Sequence, residues 1–185
     1  MPGGLVILDR DGVINADSAE FIKSPDEWVP IDGSVEAIGK LSTAGFRVAV
    51  ASNQSGIARK LLDLPALNAI HEKMRRLVRK AGGEIGEIVF CPHHPDDGCN
   101  CRKPAPGMLL ALGRHYGLPL DRVPMIGDSL RDIDAAVAVG GRPILVLTGN
   151  GSKTAAELKA ANRGVECFAD LADVATALVA ESRGS

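Results

Sequence analysis

Short apolar runs alternate with stretches in which apolar residues return every three or four positions. Residues 5–8, 47–51, 87–91, 123–126 and 143–147 are rich in Val, Ile, Leu and Ala, the pattern of strands buried on both faces. Between them, residues 34–44 carry Val35, Ile38 and Leu41 at three-residue steps and predict a helix. A second helix is predicted over 64–81, after a capping Asp63 and with Pro65 in its first turn. Leu67, Ile70, Met74, Leu77 and Val78 follow at helical spacing. Residues 106–116 and 130–139 fit the same logic, with Gly117 and Gly140 where helices stop. A strand near 165–168 and a helix near 171–181 finish the pattern. This alternation predicts an α/β fold: one domain over residues 1–185 with a Rossmann-like parallel sheet and flanking helices. Such sheets bind ligands beyond the carboxyl ends of their strands. Two long loops stand apart, 15–32 and 92–105, and loops of that length in compact domains are usually functional.

Composition narrows the classes. A hydrophobic fraction of 45% supports a sizeable core, built from Leu, Ile, Val and Ala because aromatics are only 3%. A formal charge of −2 supplies no field to hold nucleic acid or an anionic membrane, so neither is expected as a partner. No run resembles a signal-peptide core or a membrane span, and the cytoplasm is the expected location. No extra apolar face calls for assembly, and a monomer is expected.

Candidate chemistry clusters at the predicted strand ends. The first strand runs into Asp9-Arg10-Asp11-Gly12, whose two acids repel at close range unless a cation or shared proton intervenes. The second ends in Ser52-Asn53-Gln54-Ser55-Gly56, a hydroxyl, amides and backbone N–H groups suited to an anion. Lys103 follows the third. The fourth leads into Gly127-Asp128-Ser129-Leu130-Arg131-Asp132, where Asp128 could equally be a helix cap. Singly, each has a bland reading as a polar turn or surface charge.

Together and in this order, these motifs resemble those of the haloacid dehalogenase (HAD) superfamily over essentially the whole chain. The resemblance implies a phosphatase in which Asp9 attacks phosphorus and becomes a phosphoaspartate, while Asp11 acts as acid and then base. It implies Mg²⁺ held by Asp9, Asp128 and the backbone carbonyl of Asp11, with Ser52 and Lys103 contacting the phosphoryl group. Asp132 is expected to orient Lys103 or a metal-bound water. The intervals between motifs are short, so no separate cap domain is expected.

Cys91, His93, His94, Cys99 and Cys101 fall within eleven residues of an irregular, Pro-rich loop. Thiolates with imidazole select zinc, and four protein ligands close a structural site. Cys91, His93, Cys99 and Cys101 are the expected ligands in a zinc loop over 91–103, with His94 as the alternative nitrogen. Such a clamp would fix Arg102 and Lys103, which directly follow Cys101. Cys167 reads as a small core residue of a strand.

Leu8-Asp9-Arg10-Asp11-Gly12-Val13-Ile14-Asn15, Ser52-Asn53-Gln54-Ser55-Gly56-Ile57-Ala58-Arg59, Cys91-Pro92-His93-His94-Pro95 and the 101–108 run resemble the heptose 1,7-bisphosphate phosphatase family. That family feeds nucleotide-heptose synthesis for lipopolysaccharide core. Membership implies a small phosphorylated sugar as partner, lined by Asp17, Ser18, Ala19, Glu20, Asn53, Gln54 and Ser55. Arg59 or Arg102 would meet the remote phosphate, since guanidinium binds phosphate bidentately. A histidinol-phosphate phosphatase is the nearest alternative. A non-catalytic zinc-stapled module is the alternative of a different class.

Overall fold

The four residues of strand β1 (Leu5–Leu8) are all buried, and they divide by the two-residue period of a strand. Val6 and Leu8 enter one hydrophobic layer, and Leu5 and Ile7 enter the other. Strand β2 (Arg47–Asn53) divides alike, with Val48 and Val50 on the first side and Ala49 and Ala51 on the second. Both strands therefore read as continuous apolar runs because helices cover both faces. The structure, a computed structural model, describes residues 4–184; residues 1–3 and 185 of the expected domain lie outside the described residues.

The remaining strands are β3 (Ile88–Cys91), β4 (Pro124–Gly127), β5 (Arg142–Val146) and β6 (Glu166–Phe168). All pair in parallel, in the order β3-β2-β1-β4-β5-β6. The order reverses between β1 and β4, so their connections leave in opposite directions and open a crevice at their carboxyl ends.

Helices α1 (Ser34–Thr43), α2 (Leu64–Lys80) and α6 (Leu171–Gly184) bury Ile38, Leu41, Leu67, Ile70, Met74, Val174 and Leu178 against one face. Helices α3 (Gly107–Tyr116) and α4 (Leu130–Ala138) bury Leu109, Leu112, Ala135 and Ala136 against the other. Each full burial of a Leu or Ile is worth about 1.5–3 kcal/mol, so the two layers dominate stability. The caps are as expected at Asp63, whose carboxylate accepts from the N–H of Ala66, and at Gly117 and Gly140, which have positive φ. No separate cap domain interrupts the sheet among the described residues. No helix is long and apolar enough to cross a membrane.

Three expectations are corrected. Helix α5 (Gly151–Ala160) was not predicted; only Gly151, Thr154 and Leu158 are buried along it, too few for a clear periodic signal. Cys167 is exposed rather than in the core, because β6 is the edge strand. The N-cap of α4 is Ser129 and not Asp128: Ser129 and Asp132 form a reciprocal capping box that leaves Asp128 free to face the crevice. The loop over 15–32 has no helix or strand of its own and is anchored by the fully buried Trp28.

Candidate active site

Asp9 leaves β1 at the crevice, and its N–H still donates to the carbonyl of Ile126 on β4 at 2.9 Å. This bond carries the sheet one residue further and fixes where the Asp9 side chain starts. Its Oδ1 accepts from the N–H of Arg10 at 2.8 Å and lies 2.9 Å from Lys103 Nζ. Lys103 is buried, donates to the carbonyl of Ala51 at 2.7 Å and lies 2.6 Å from Asp132 Oδ1. The backbone of Lys103 is itself held: its N–H donates to Asn53 Oδ1 at 3.0 Å, and Asn53 Nδ2 donates to its carbonyl at 3.1 Å. Asn53 thus splices the end of β2 to the loop that carries the lysine.

Asp11 is engaged differently. Arg10, fully buried, donates to both of its carboxylate oxygens at 2.9 and 3.0 Å through Nη2. Asn15 Nδ2 adds a bond at 2.9 Å and Gln54 Nε2 another at 2.9 Å. Gln54 also donates to Ser52 Oγ at 3.2 Å, which ties the first and second motifs together. Burial opposes ionisation of Asp11, but Arg10 and these amides outweigh it and hold its carboxyl below the usual range.

Asp128 receives two bonds on Oδ2 from Asn150, one from the backbone N–H at 2.7 Å and one from Nδ2 at 3.1 Å. Asn150 Nδ2 also reaches Asp17 Oδ2 at 3.2 Å, joining the 15–32 loop to the fourth motif. Gly12 and Gly149, both at positive φ, pack so tightly on Asp128 that a Cβ at either would overlap its carboxylate.

The charges do not balance. Carboxylate oxygens of Asp9, Asp128 and Asp132 lie within 4.8 Å of one another, facing the single ammonium of Lys103. Burial, only partly offset by Lys103, pushes Asp9 up to about 8, and burial also pushes Asp128 up to about 6. Lys103 is held above the usual lysine range, because Asp132 and Asp9 outweigh the effect of burial. When all three acids are ionised, one base leaves two negative charges unmatched in a hard-oxygen setting, the donor set of a divalent cation such as Mg²⁺.

A second cluster lies beside it. Cys91, His93, Cys99 and Cys101 converge, with Sγ–Sγ distances of 3.2 to 3.6 Å and His93 Nδ1 at 3.5 and 3.2 Å from Cys91 and Cys101. Tetrahedral bonds of about 2.3 Å to sulfur and about 2.0 Å to nitrogen place ligand atoms roughly 3.5–3.8 Å apart, close to this spacing. His94 is not in the cluster; it caps a 3-10 turn over Pro95–Asp97 and pairs with Asp96.

The acids, Lys103 and the amides around them line one cleft that opens to solvent. Of the expected contact residues, Asp9, Asp11, Asp17, Ser18, Asn53, Gln54, Ser55, Arg102, Lys103 and Asp128 line it. Ser52 sits behind, fully buried against Gln54, while Ala19, Glu20 and Arg59 are exposed and outside the lining. Arg59 lies over the ring of Phe21, 5.7 Å from its centroid. Ser129, Arg131 and Asn150 line the cleft and were not anticipated. Asn150 had one signal, a polar Thr-Gly-Asn-Gly turn directly after a predicted strand.

A parallel sheet with acids at its switch point, backed by a buried lysine, defines a HAD-type hydrolase. The HAD-hydrolase-like family model matches residues 100–174, and the polynucleotide kinase 3 phosphatase model matches residues 5–131. A D-glycero-beta-D-manno-heptose-1,7-bisphosphate 7-phosphatase of Pseudomonas aeruginosa is 55% identical, covering 97% of this chain and 99% of the relative. One of Bordetella bronchiseptica is 52% identical over 96% and 99%. The crystal structure of the D,D-heptose 1,7-bisphosphate phosphatase from B. bronchiseptica, complexed with magnesium and phosphate, superposes with a TM-score of 0.91. It is 50% identical and covers 96% of this chain and 98% of that one. The chain belongs to the D-glycero-beta-D-manno-heptose-1,7-bisphosphate 7-phosphatase family, within the HAD phosphatases.

Proposed function

We propose that this chain hydrolyses the 7-phosphate of D-glycero-D-manno-heptose 1,7-bisphosphate through a phosphoaspartate on Asp9, in nucleotide-heptose synthesis for lipopolysaccharide core. The observation that carries this is the unbalanced acid cluster at the β1/β4 crevice, with one lysine fixed against its first carboxylate. Family membership supplies the substrate class.

Asp9, Asp128 and the backbone carbonyl of Asp11 would hold Mg²⁺, which would offset the charge of an incoming phosphate and so lower the barrier to anionic attack. Arg10 N–H and Lys103 fix Asp9 Oδ1 and with it the direction of the carboxylate. Attack by an Asp9 oxygen forms the acyl-phosphate bond as the bond from phosphorus to the sugar oxygen breaks. Asp11 gives that oxygen its proton. A phosphate dianion entering the cleft raises the affinity of Asp11 for that proton, against the hold of Arg10. Asp11 then takes a proton from water, which attacks phosphorus and releases phosphate and free Asp9. Lys103 supports the transferring oxygens, Ser52 braces Gln54 from behind the cleft, and Asp132 orients Lys103.

The Cys91, His93, Cys99 and Cys101 cluster fits a structural zinc ion. With all four positions closed, its contribution is to hold Arg102 and Lys103 in place. The deciding experiment compares kcat/KM for both anomers of heptose 1,7-bisphosphate with that for histidinol phosphate. Preference for the sugar bisphosphate is expected; preference for histidinol phosphate overturns the substrate reading. Fluoroberyllate, a mimic of the phosphoryl group, should bind only when Asp9 is intact.

A further inference from the structure

Asp17, Ser18 and Phe21 form one wall of the cleft, and the front of their loop is tied to the domain at few points. Behind them the 15–32 loop is firmly anchored. Trp28 is fully buried, and Lys73 on α2 donates to the carbonyls of Pro25 at 2.6 Å and Trp28 at 2.8 Å. In front, hydrogen bonds run within the loop: Ser18 N–H to Asp17 Oδ1, Glu20 N–H to Ser18 Oγ, and Lys23 Nζ to the carbonyls of Glu20 and Phe21. Among the described residues, one hydrogen bond leaves residues 17–21 for the body of the domain: Asn150 Nδ2 donates to Asp17 Oδ2 at 3.2 Å. Arg59 adds a contact over the ring of Phe21.

The same amide nitrogen donates to Asp128 Oδ2 at 3.1 Å. An amide NH₂ carries two hydrogens in one plane, so one side chain serves both carboxylates, and the orientation that suits one sets the reach to the other. The base of that side chain is fixed, since the Asn150 backbone N–H also binds Asp128 Oδ2, at 2.7 Å. The two carboxylates repel each other: the charge of Asp17 opposes ionisation of Asp128, and the effect is mutual. Asp17 forms no ion pair among the described residues. The front of the loop is therefore held by an uncharged bridge against a like charge.

We infer that Asn150 is a positioning residue that couples cation binding at Asp128 to docking of residues 17–21 against the cleft, so that the substrate-facing wall is set most firmly in the metal-loaded enzyme. The inference rests on the reading of Asp128 as a Mg²⁺ ligand. Once the charge of Asp128 is offset, Asp17 is no longer repelled, and the shared amide holds the two carboxylates in register. By reciprocity, the docked segment strengthens cation binding by the same factor.

The test combines calorimetric titration of Mg²⁺ into the substrate-free protein with amide hydrogen exchange of residues 18–21, in wild type, Asn150→Ala and Asp17→Asn. Mg²⁺ should slow exchange there by about tenfold in wild type, and by less than about threefold in Asn150→Ala at a concentration that saturates that variant. Asp17→Asn keeps an oxygen to accept from Asn150 and removes the repulsion, so its segment should already be protected without Mg²⁺. Exchange of the β1 amides reports whether each variant is folded. At Mg²⁺ saturating for each protein, KM for heptose 1,7-bisphosphate should rise at least about fivefold in Asn150→Ala, with kcat changed by less than about threefold. Equal slowing by Mg²⁺ in wild type and Asn150→Ala, an unprotected segment in Asp17→Asn, or a loss confined to kcat would each overturn the inference alone. Wild type that binds no Mg²⁺ would sink the reading of the metal site, and this inference with it.

Discussion

Lys103 Nζ lies 2.9 Å from Asp9 Oδ1, joining the Cys/His loop to the end of the central strand. Both groups are largely withdrawn from solvent, and the lysine is shared with Asp132, so the two partners are not equally costly to remove. Lys103→Ala strands Asp9 and Asp132 together, and should cost about 3–5 kcal/mol of stability along with activity. Asp9→Asn leaves Lys103 paired with Asp132, and should fold normally while abolishing turnover. Thermal melts and phosphate release check both, and a residual rate above a tenth of wild type in Asp9→Asn would show that another group attacks.

The Cys/His cluster should act on the rate through position. A Cys99→Ala, Cys101→Ala double variant is expected to purify without zinc and to lose at least about tenfold in kcat/KM, as Arg102 and Lys103 lose their anchor. Wild type stripped by chelation should recover on adding zinc together with magnesium, and not on magnesium alone. Elemental analysis beside the rate assay decides this; a normal rate in the zinc-free variant would separate the cluster from catalysis.

Asp9 makes the stability of the Mg²⁺-free protein fall as pH rises. Its carboxyl is pushed up to about 8 in the folded chain from an ordinary 3.8, so between those values the folded state holds more protons than the unfolded. His71 works in the opposite sense at lower pH. Burial, then Arg10 and Arg75, press it down to about 4 from 6.5, so its contribution is lost as pH falls from 6.5 to 4. Above pH 6.5 Cys99 works against Asp9: burial is outweighed by hydrogen bonds from Arg102 and the neighbouring cysteines, which lower its thiol from 9.0 to about 7, so its contribution grows as pH rises. The Asp9 effect is therefore read as a difference. Without added Mg²⁺ the melting temperature of wild type, relative to that of Asp9→Asn, should drop by at least about 3 °C between pH 6.5 and 8.5, and saturating Mg²⁺ should flatten that difference. Paired melts across the window test the sign; a difference that rises with pH would contradict it.

Asn150 should control how well the acid cluster holds its cation. It fixes Asp128 through two hydrogen bonds, at 2.7 Å from the backbone and 3.1 Å from the side chain. Asn150→Ala keeps the first and loses the second, and a supporting contact of this kind is typically worth 10–100-fold in metal affinity. The Mg²⁺ concentration for half-maximal rate should rise by about that factor, with kcat at saturation changed less. Gly149→Ala should be more severe, since φ is +56° there and a Cβ would overlap Asp128. A titration of rate against Mg²⁺ measures both.

Much of the site was readable in the chain because its parts are contiguous. Asp9 and Asp11 follow a four-residue apolar run, and Asp128 to Asp132 follow another; strand burial and motif order are local properties. The four clustered Cys and His side chains lie within eleven residues, so their convergence needs only a folded loop. Helix α5 escaped because only a few of its residues face inward, and Cys167 was misjudged because a position at a sheet edge is not encoded in the strand itself.

Local pattern by itself determined the parallel sheet, the order of the acidic motifs and the members of the Cys/His cluster, since each depends on neighbours along the chain and their side-chain chemistry. Tertiary structure decided what faces the cleft. It turned Arg59 onto Phe21, brought Arg102 and Arg131 into the lining of one cleft, and linked Asn150 to Asp17 across more than a hundred residues of sequence. The direction in which a loop side chain points depends on which strand ends become neighbours, and the order of strands across the sheet fixes that only when the whole domain packs.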